Sequence, residues 1–473
     1  MTMIDHRLIP LAIGTYALVG LLGCGSSDSS SANPSTTGPP PESLDDCDPY
    51  EEGTNLNICT ATYLGSTDGE AKSLAVDDEG DLWMGGNWDG APAPEFNGDG
   101  DGPGYLIRLS PAGGEIIQVM ALDAPLKAGA FDSSANHHAL VTESHLHLVP
   151  TDETSGHAIA LEDISQVDAD QGYTVVLRDQ QWLLFDALGE ELTTVTVDRS
   201  SVNDVALDGD RELVFITGYH QVSGNLQQPF LFAYDFDGQL QWSNWDWSAD
   251  EAGELSSDTR GTAISMGLDG KLYYVGESHG GVTTHFRDPQ NLEEDAPISR
   301  TDPYSESHQW NGAAPLGFVA RLDPTTGEME GAKLLAVRLS DGRGNGVNPR
   351  SVTAREDGTI FLAGDSACCI DRWEERTVAG TRAMPEYGGG QWAMVLSADF
   401  EERPIWTTFR STASSVDFGA IAAHRHTFAI ALTHRAGSDE DSLSGQMTTA
   451  NAMVSQAQGD ISSPHLSVFL GPP

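Results

Sequence analysis

The sequence is poor in positive charge. It has 24 Lys and Arg against 71 Asp and Glu, a formal net charge of −47. A surface of that sign repels phosphate backbones and anionic lipid headgroups, which excludes nucleic acid as a partner and any membrane contact made through basic side chains. The excess keeps the chain solvated and attracts cations or basic partners, but it does not specify a fold. Long apolar runs are nearly missing as well. The one of note, Leu8 to Leu22, has 15 residues, fewer than the ~20 a membrane-spanning helix requires. Helical periodicity is missing beyond about residue 70, where no convincing amphipathic stretch appears. No Gly-x-Ser-x-Gly elbow and no Ser-x-Asp-x-Gly-x-Thr-Trp box is present. Carboxylate pairs are too frequent in so acidic a chain to nominate a glycosidase. Cysteine is scarce: Cys24, Cys47, Cys59, Cys368 and Cys369. The number is odd, so one of them has a fate other than an internal disulfide.

The N-terminus supplies that fate. Met1 to Arg7 is short and polar, the apolar run follows, and it ends in Leu21-Leu22-Gly23-Cys24. This resembles the lipobox of bacterial lipoproteins, with Leu22 standing where a smaller residue is commoner. The resemblance implies cleavage before Cys24, a diacylglycerol on its thiol and a further acyl chain, such as palmitate, on the freed amine. Two or more chains on one residue give durable anchoring where one is marginal. Gly25 to Pro41 reads GSSDSSSANPSTTGPPP, a tether that cannot bury a core. Gly25, in place of an Asp, implies delivery to the outer membrane by the same resemblance. The expected organisation is a signal peptide over 1–23, the lipidated cysteine and linker over 24–45, and one folded domain over 46–473. In an oxidising compartment Cys47 and Cys59 are expected to bridge a short loop. Cys368 and Cys369 are adjacent, and either form a strained vicinal disulfide or stay as thiols.

Short apolar or alternating runs separated by Asp/Gly turns fill the rest of the chain, the pattern of all-β architecture. One unit recurs: a strand, a turn and a β-rich strand ending in Gly, as in Ser73 to Gly86, Val205 to Gly218, Ile264 to Gly276 and Val352 to Gly364. After a variable loop come a third strand, a second turn and a fourth strand. Tyr105 to Leu109 with Ser110-Pro-Ala-Gly113, and Phe230 to Tyr234 with Asp235-Phe-Asp-Gly238, are examples. Four strands with turn chemistry at fixed offsets make one propeller blade. Degenerate blades fall at His138 to Val149 and at Tyr173 to Gly189. The last blade is read as Phe418 to Ala422, Thr427 to Ala431, Ala452 to Ser455 and Leu466 to Phe469. The expected fold is therefore an all-β propeller of seven four-stranded blades, with Thr60 to Leu64 as an outer strand locking the ring beside the C-terminal segment. The repeat resembles that of seven-bladed bacterial propeller lipoproteins. The turns Asp235 to Gly238 and Asp323 to Gly327 also resemble quinoprotein blades, although tryptophan ends the fourth strand only at Trp242 and Trp406, and Gly331 stands at the matching place between them.

The connections between second and third strands vary most and emerge on one face, so a site is expected there. Trp88, His279, His285, Trp310, Trp373 and Tyr387 are the candidate contacts. Trp83 and Trp182 lie within strands and are expected in the core. Asn97, Asp99 and Asp101 alternate with glycine like the first half of a calcium loop, but Arg108 occupies the twelfth position, so only a looser calcium site is open to them. His145/His147 are spaced to share a strand face, whereas His424/His426 fall at a turn of their repeat, and neither pair has an assignable third zinc ligand. The expected function is a lipid-anchored envelope module that binds or scaffolds an envelope protein or glycan. The alternative is a propeller enzyme, a quinone-dependent dehydrogenase or glycan hydrolase, using the loop-rich face.

Overall fold

A computed structural model describes residues 57–65, 67–90, 102–132, 134–151, 156–224, 226–299, 315–338, 344–367, 377–378, 381–382, 390–408, 415–425, 427–435, 448, 452–453 and 461–470. The chain divides into two units, Met1–Thr36 and Thr37–Pro473, and the described residues all belong to the second. No helix among them is long and apolar enough to cross a membrane.

Seven antiparallel sheets follow one another along the chain. Blade 1 comprises Gly69–Val76, Leu82–Trp88, Gly104–Leu109 and Ile116–Leu122, and blade 2 comprises Ala128–Asp132, His137–Val141, His145–Pro150 and His157–Ala160. Blade 3 holds Ile164–Asp170, Tyr173–Arg178, Gln181–Phe185 and Glu191–Thr196. Blade 4 holds Ser201–Asp208, Leu213–Gln221, Gln227–Asp235 and Leu240–Asn244. Blade 5 holds Thr259–Met266, Leu272–Ser278, Leu316–Leu322 and Met329–Leu335, with Ile298–Ser299 added in parallel to its outer strand. Blade 6 comprises Val347–Ala354, Ile360–Ser366, Gly390–Leu396 and Ile405–Thr408. The first strand of every blade contacts the first strand of the next, and that of blade 7, Ser415–His424, contacts that of blade 1, so the ring closes.

Closure corrects one part of the expected blade 7. Its third strand is Ser462–Leu470, and its fourth is the N-terminal Asn57–Tyr63, paired antiparallel with the C-terminal one. Ala452 and Met453 are not in a strand, and Val454 and Ser455 lie outside the described residues. Thr60 to Tyr63 occupies the outer place, so the C-terminal segment moves one position inward. The join leaves no unpaired edge between the two ends of the domain. Cys59, on that strand, is buried and disulfide-bonded. Its expected partner Cys47, and Cys24, Cys368 and Cys369, lie outside the described residues.

Second and third strands are nearly continuous apolar runs because both their faces are covered by neighbouring blades. Trp83 and Trp182 are in this core, 1% and 0% exposed. In blades 1, 3, 4, 5 and 6 the turn between third and fourth strands docks on the preceding blade. Gly327, at φ +73°, lies against the ring of Trp242 on the outer strand of blade 4, and a Cβ there would approach an indole carbon to 2.7 Å. The Trp242 indole N–H donates to Pro324 O at 2.9 Å. One blade on, the roles reverse. Phe400 occupies the turn, and Gly331 on the outer strand makes room for its ring. The missing tryptophan at 331 thus has a steric cause.

The innermost strands have one edge bonded within the blade and one edge free. Buried backbone donors on a free edge need partners from elsewhere. Side chains of adjacent blades supply them. Asp168 accepts from Leu207 N at 2.9 Å and Asp204 from Ile264 N at 2.9 Å, and in the turns just beyond these strands Asp132 accepts from Gly172 N at 2.6 Å and Asp170 from Gly209 N at 2.8 Å. Thr262 Oγ1 donates to Pro349 O at 2.9 Å, and Ala71 N donates to Thr433 Oγ1 at 3.0 Å across the closing seam.

Candidate functional site: the central cavity

Six of the seven innermost strands carry a register shift near their start, around Lys72, Ser165, Asn203, Thr262, Arg350 and Gly419. A bulge sets two residues opposite one and re-aims a side chain. Five of these six residues line a cavity of about 430 Å³ on the axis of the ring, to which every blade contributes. At about 30 Å³ per water it has room for on the order of a dozen waters.

The wall is uneven. Blades 6, 1 and 2 contribute Arg350, Lys72 and Lys127. Between them blade 7 presents Phe418, Gly419, Ala420 and Ile421, an apolar strip. Opposite, blades 3 to 5 present Ser165, Gln166, Asp204 and Thr262. The described lining therefore carries three cations and one carboxylate, in a chain where acids outnumber bases 71 to 24. Lys127 is exposed and has no ion-pair partner among the described residues, while Gln166 and Ser351 make no side-chain hydrogen bond among them. Asp204 is held by the backbone of blade 5, and burial pushes its carboxyl up to about 7 against the opposing hydrogen bonds from Ile264 N and Val205 N.

The cavity lies toward the end of the ring where innermost strands begin and second strands finish. The second-to-third-strand connections leave from that end, so it is the face on which the sequence places a site. An ionic rim surrounds it. Lys72 pairs with Glu70 at 2.8 Å, Arg435 bridges Glu70 and Asp417, and Arg350 pairs with Asp365 at 2.8 Å. Arg260 reaches Glu277 at 3.2 Å. Burial alone would raise the Glu277 carboxyl, but the hydrogen bond from His279 and the charges of Arg350 and Arg260 hold it below the usual range.

The structure separates the expected contact residues. His279 is on the rim, its Nε2 at 3.4 Å from Glu277. Trp88 is the last residue of its strand and 3% exposed, its indole donating to Leu64 O at 3.2 Å. His285 is fully buried, stacked on Phe318 at 4.4 Å with Nε2 at 2.9 Å from the Tyr274 hydroxyl. Burial lowers its imidazole to about 3 and keeps it neutral. Both are in the core because apolar neighbours enclose them, and neither lines the cavity. Trp310, Trp373, Tyr387, Asn97, Asp99, Asp101 and His426 lie outside the described residues. His145 and His147 stand 5.7 Å apart, ring to ring, and among the described residues no three His, Cys, Asp or Glu are grouped to hold a metal.

Sequence reasoning missed Lys72, Lys127, Arg350, Gln166 and Asp204. A signal existed: Lys72-Ser-Leu74 and Arg350-Ser-Val352 place a cation and a serine at the same offset of two repeats, in a chain with few cations to place.

No family model matches the chain, and no curated protein matches it. Among solved structures it is similar to hydrazine synthase from Kuenenia stuttgartiensis, at 7% identity over 70% of this chain and 93% of that one, with a TM-score of 0.41. It is similar to a chain from the complex of KlAtg21 with the coiled-coil of AgAtg16, at 9% identity over 78% and 95%, TM-score 0.43. It is also similar to KlHsv2 with loop 6CD replaced by a Gly-Ser linker, at 7% identity over 79% and 95%, TM-score 0.42. Identities this low transfer no activity or partner to this chain.

Proposed function

We propose that this chain is a ligand-binding propeller of the bacterial cell envelope, tethered through an acylated Cys24 and recognising a small molecule in the central cavity. One observation carries the binding reading: a polar cavity of monosaccharide-accommodating size, built by all seven blades and enriched in cations against the bias of the chain. Its volume lies in the ~300–1,000 Å³ range of small-molecule sites. The glycan-hydrolase alternative calls for two facing carboxylates. Asp204 is the one carboxylate among the described lining residues, and it is engaged by the backbone of the next blade.

The tether reading rests on Leu21-Leu22-Gly23-Cys24 and the Ser/Pro segment behind it. Outer-membrane delivery follows from Gly25 by the same resemblance. Cys47 is the proposed partner of Cys59, a link that would secure the strand closing the ring and contribute about 3 kcal/mol for a loop of this length.

Two measurements test the proposal. Mass spectrometry of the full chain from a bacterial envelope is expected to show an acylated Cys24 as first residue, and Cys24→Ala is expected to release the protein from membranes. An unmodified chain retaining residues 1–23 refutes the tether. Small molecules released by denaturing the purified full chain are expected to include one absent from Ser351→Trp, whose indole fills the cavity. Identical profiles from the two chains refute cavity binding.

A further inference from the structure

The cavity is chemically two-sided, which narrows what fits. Arg350, Lys72 and Lys127 converge from blades 6, 1 and 2, and two of them are already paired on the rim, with Asp365 and Glu70. Lys127 is the cation with no such partner among the described residues, and Asp204 is the one acidic residue among the described lining. A cation in a cleft with low-dielectric walls attracts an anion more strongly than the same cation on an open surface. The remaining wall offers hydroxyl and amide groups, Ser165, Gln166 and Ser351, for uncharged polar partners, and an apolar strip at Phe418 and Ile421 for carbon surface. A bare inorganic anion would use the first feature and leave the others idle. A neutral sugar would leave Lys127 without a counter-charge.

We infer that the cavity binds a small polyhydroxylated anion of the sugar-acid class, its carboxylate directed to Lys127 with Lys72 and Arg350 beside it, its hydroxyls to Gln166 and Ser351, and its carbon face to the blade 7 strip. The assignment rests on the cavity being the binding site, as proposed above, and adds the ligand's charge and class.

The test titrates the full chain with glucuronate, glucose, glucosamine and sulfate at equal ionic strength by calorimetry. Glucuronate is expected to bind at least ~10-fold more tightly than glucose, and Lys127→Gln combined with Lys72→Gln to remove most of that difference. An unchanged thermal midpoint for the double variant shows that the loss is not one of folding. Glucose or glucosamine binding as well as glucuronate, or the variants leaving the preference intact, overturns the anion assignment. Sulfate binding as well as glucuronate overturns the polyol part. In each of these cases, loss of the observed binding in Ser351→Trp leaves the cavity reading standing, whereas binding that survives Ser351→Trp refutes the cavity itself. Absence of binding by all four probes overturns the sugar-acid assignment, and the released-molecule comparison then decides the cavity reading on its own.

Discussion

Replacing Asp204 by Asn tests how the ring is held together. Its carboxylate accepts the Ile264 N–H of the next blade, and burial lifts it from the ordinary carboxylate range to about 7, with Asp168 adding to the rise. A raised acid binds its proton in the folded state while the unfolded chain has already lost it. Stability from this group is therefore full in acid, and falls as pH rises from about 4 through about 7. A rise of that size corresponds to about 4 kcal/mol. That is a ceiling, because Asp204 keeps some surface on the channel and its water solvates the charge. Asn keeps an oxygen acceptor for Ile264 N and cannot ionise. The assay is urea unfolding of wild type and Asp204→Asn between pH 4 and pH 8, in enough salt to damp the repulsion of a chain of net charge −47. The stability of the variant relative to wild type is expected to climb with pH by ~2–4 kcal/mol and then level above about pH 7. A difference flat across that range would show that the carboxylate is fully solvated, and a difference that falls would show that the fold prefers it charged. Either result refutes the reasoning.

Two other changes probe the packing. His138 lies between Trp83 and Phe131, 4.5 and 4.8 Å ring to ring, and its Nε2 is buried without a hydrogen bond among the described residues. Burial lowers its imidazole to about 3, so its contribution is present above pH 6.5 and is lost as pH falls toward that value. His138→Phe is expected to gain stability over wild type on acidification, by up to about 3 kcal/mol at pH 4 in urea unfolding, and no gain would show that the ring is hydrated. Trp242→Ala removes both the platform for Gly327 and the donor to Pro324 O, and is expected to cost ~3–5 kcal/mol in the same assay. A loss below about 1 kcal/mol would mean that the blade 4–5 seam closes without it.

The buried histidines and the raised aspartates oppose each other in one pH window, so the wild-type curve alone cannot separate them. Each variant isolates one group because the rest cancels in the difference.

The outer-lock role of Thr60 to Leu64 was legible because an alternating run stood ahead of the first full repeat with no partner of its own. The error over Ala452 to Ser455 has the same root. A four-strand count invites the nearest apolar segment into the vacant place, and sequence spacing does not reveal that the N-terminal strand already fills it. Position after a strand-ending glycine puts Trp88 and His285 on loops in the sequence. Their burial depends on what the neighbouring turns cover, which is not a local property.

Local chemistry decides strands and turns: period-two apolar runs must bury a face, and Asp/Gly segments reverse the chain, so the repeat and its count of seven follow from residues near one another in the sequence. The cavity does not. Lys72, Lys127 and Arg350 are separated by up to 278 positions, and each by itself reads as an ordinary surface cation. Only closure of the ring brings them to one mouth, because the innermost strand of every blade turns a free edge toward the same axis.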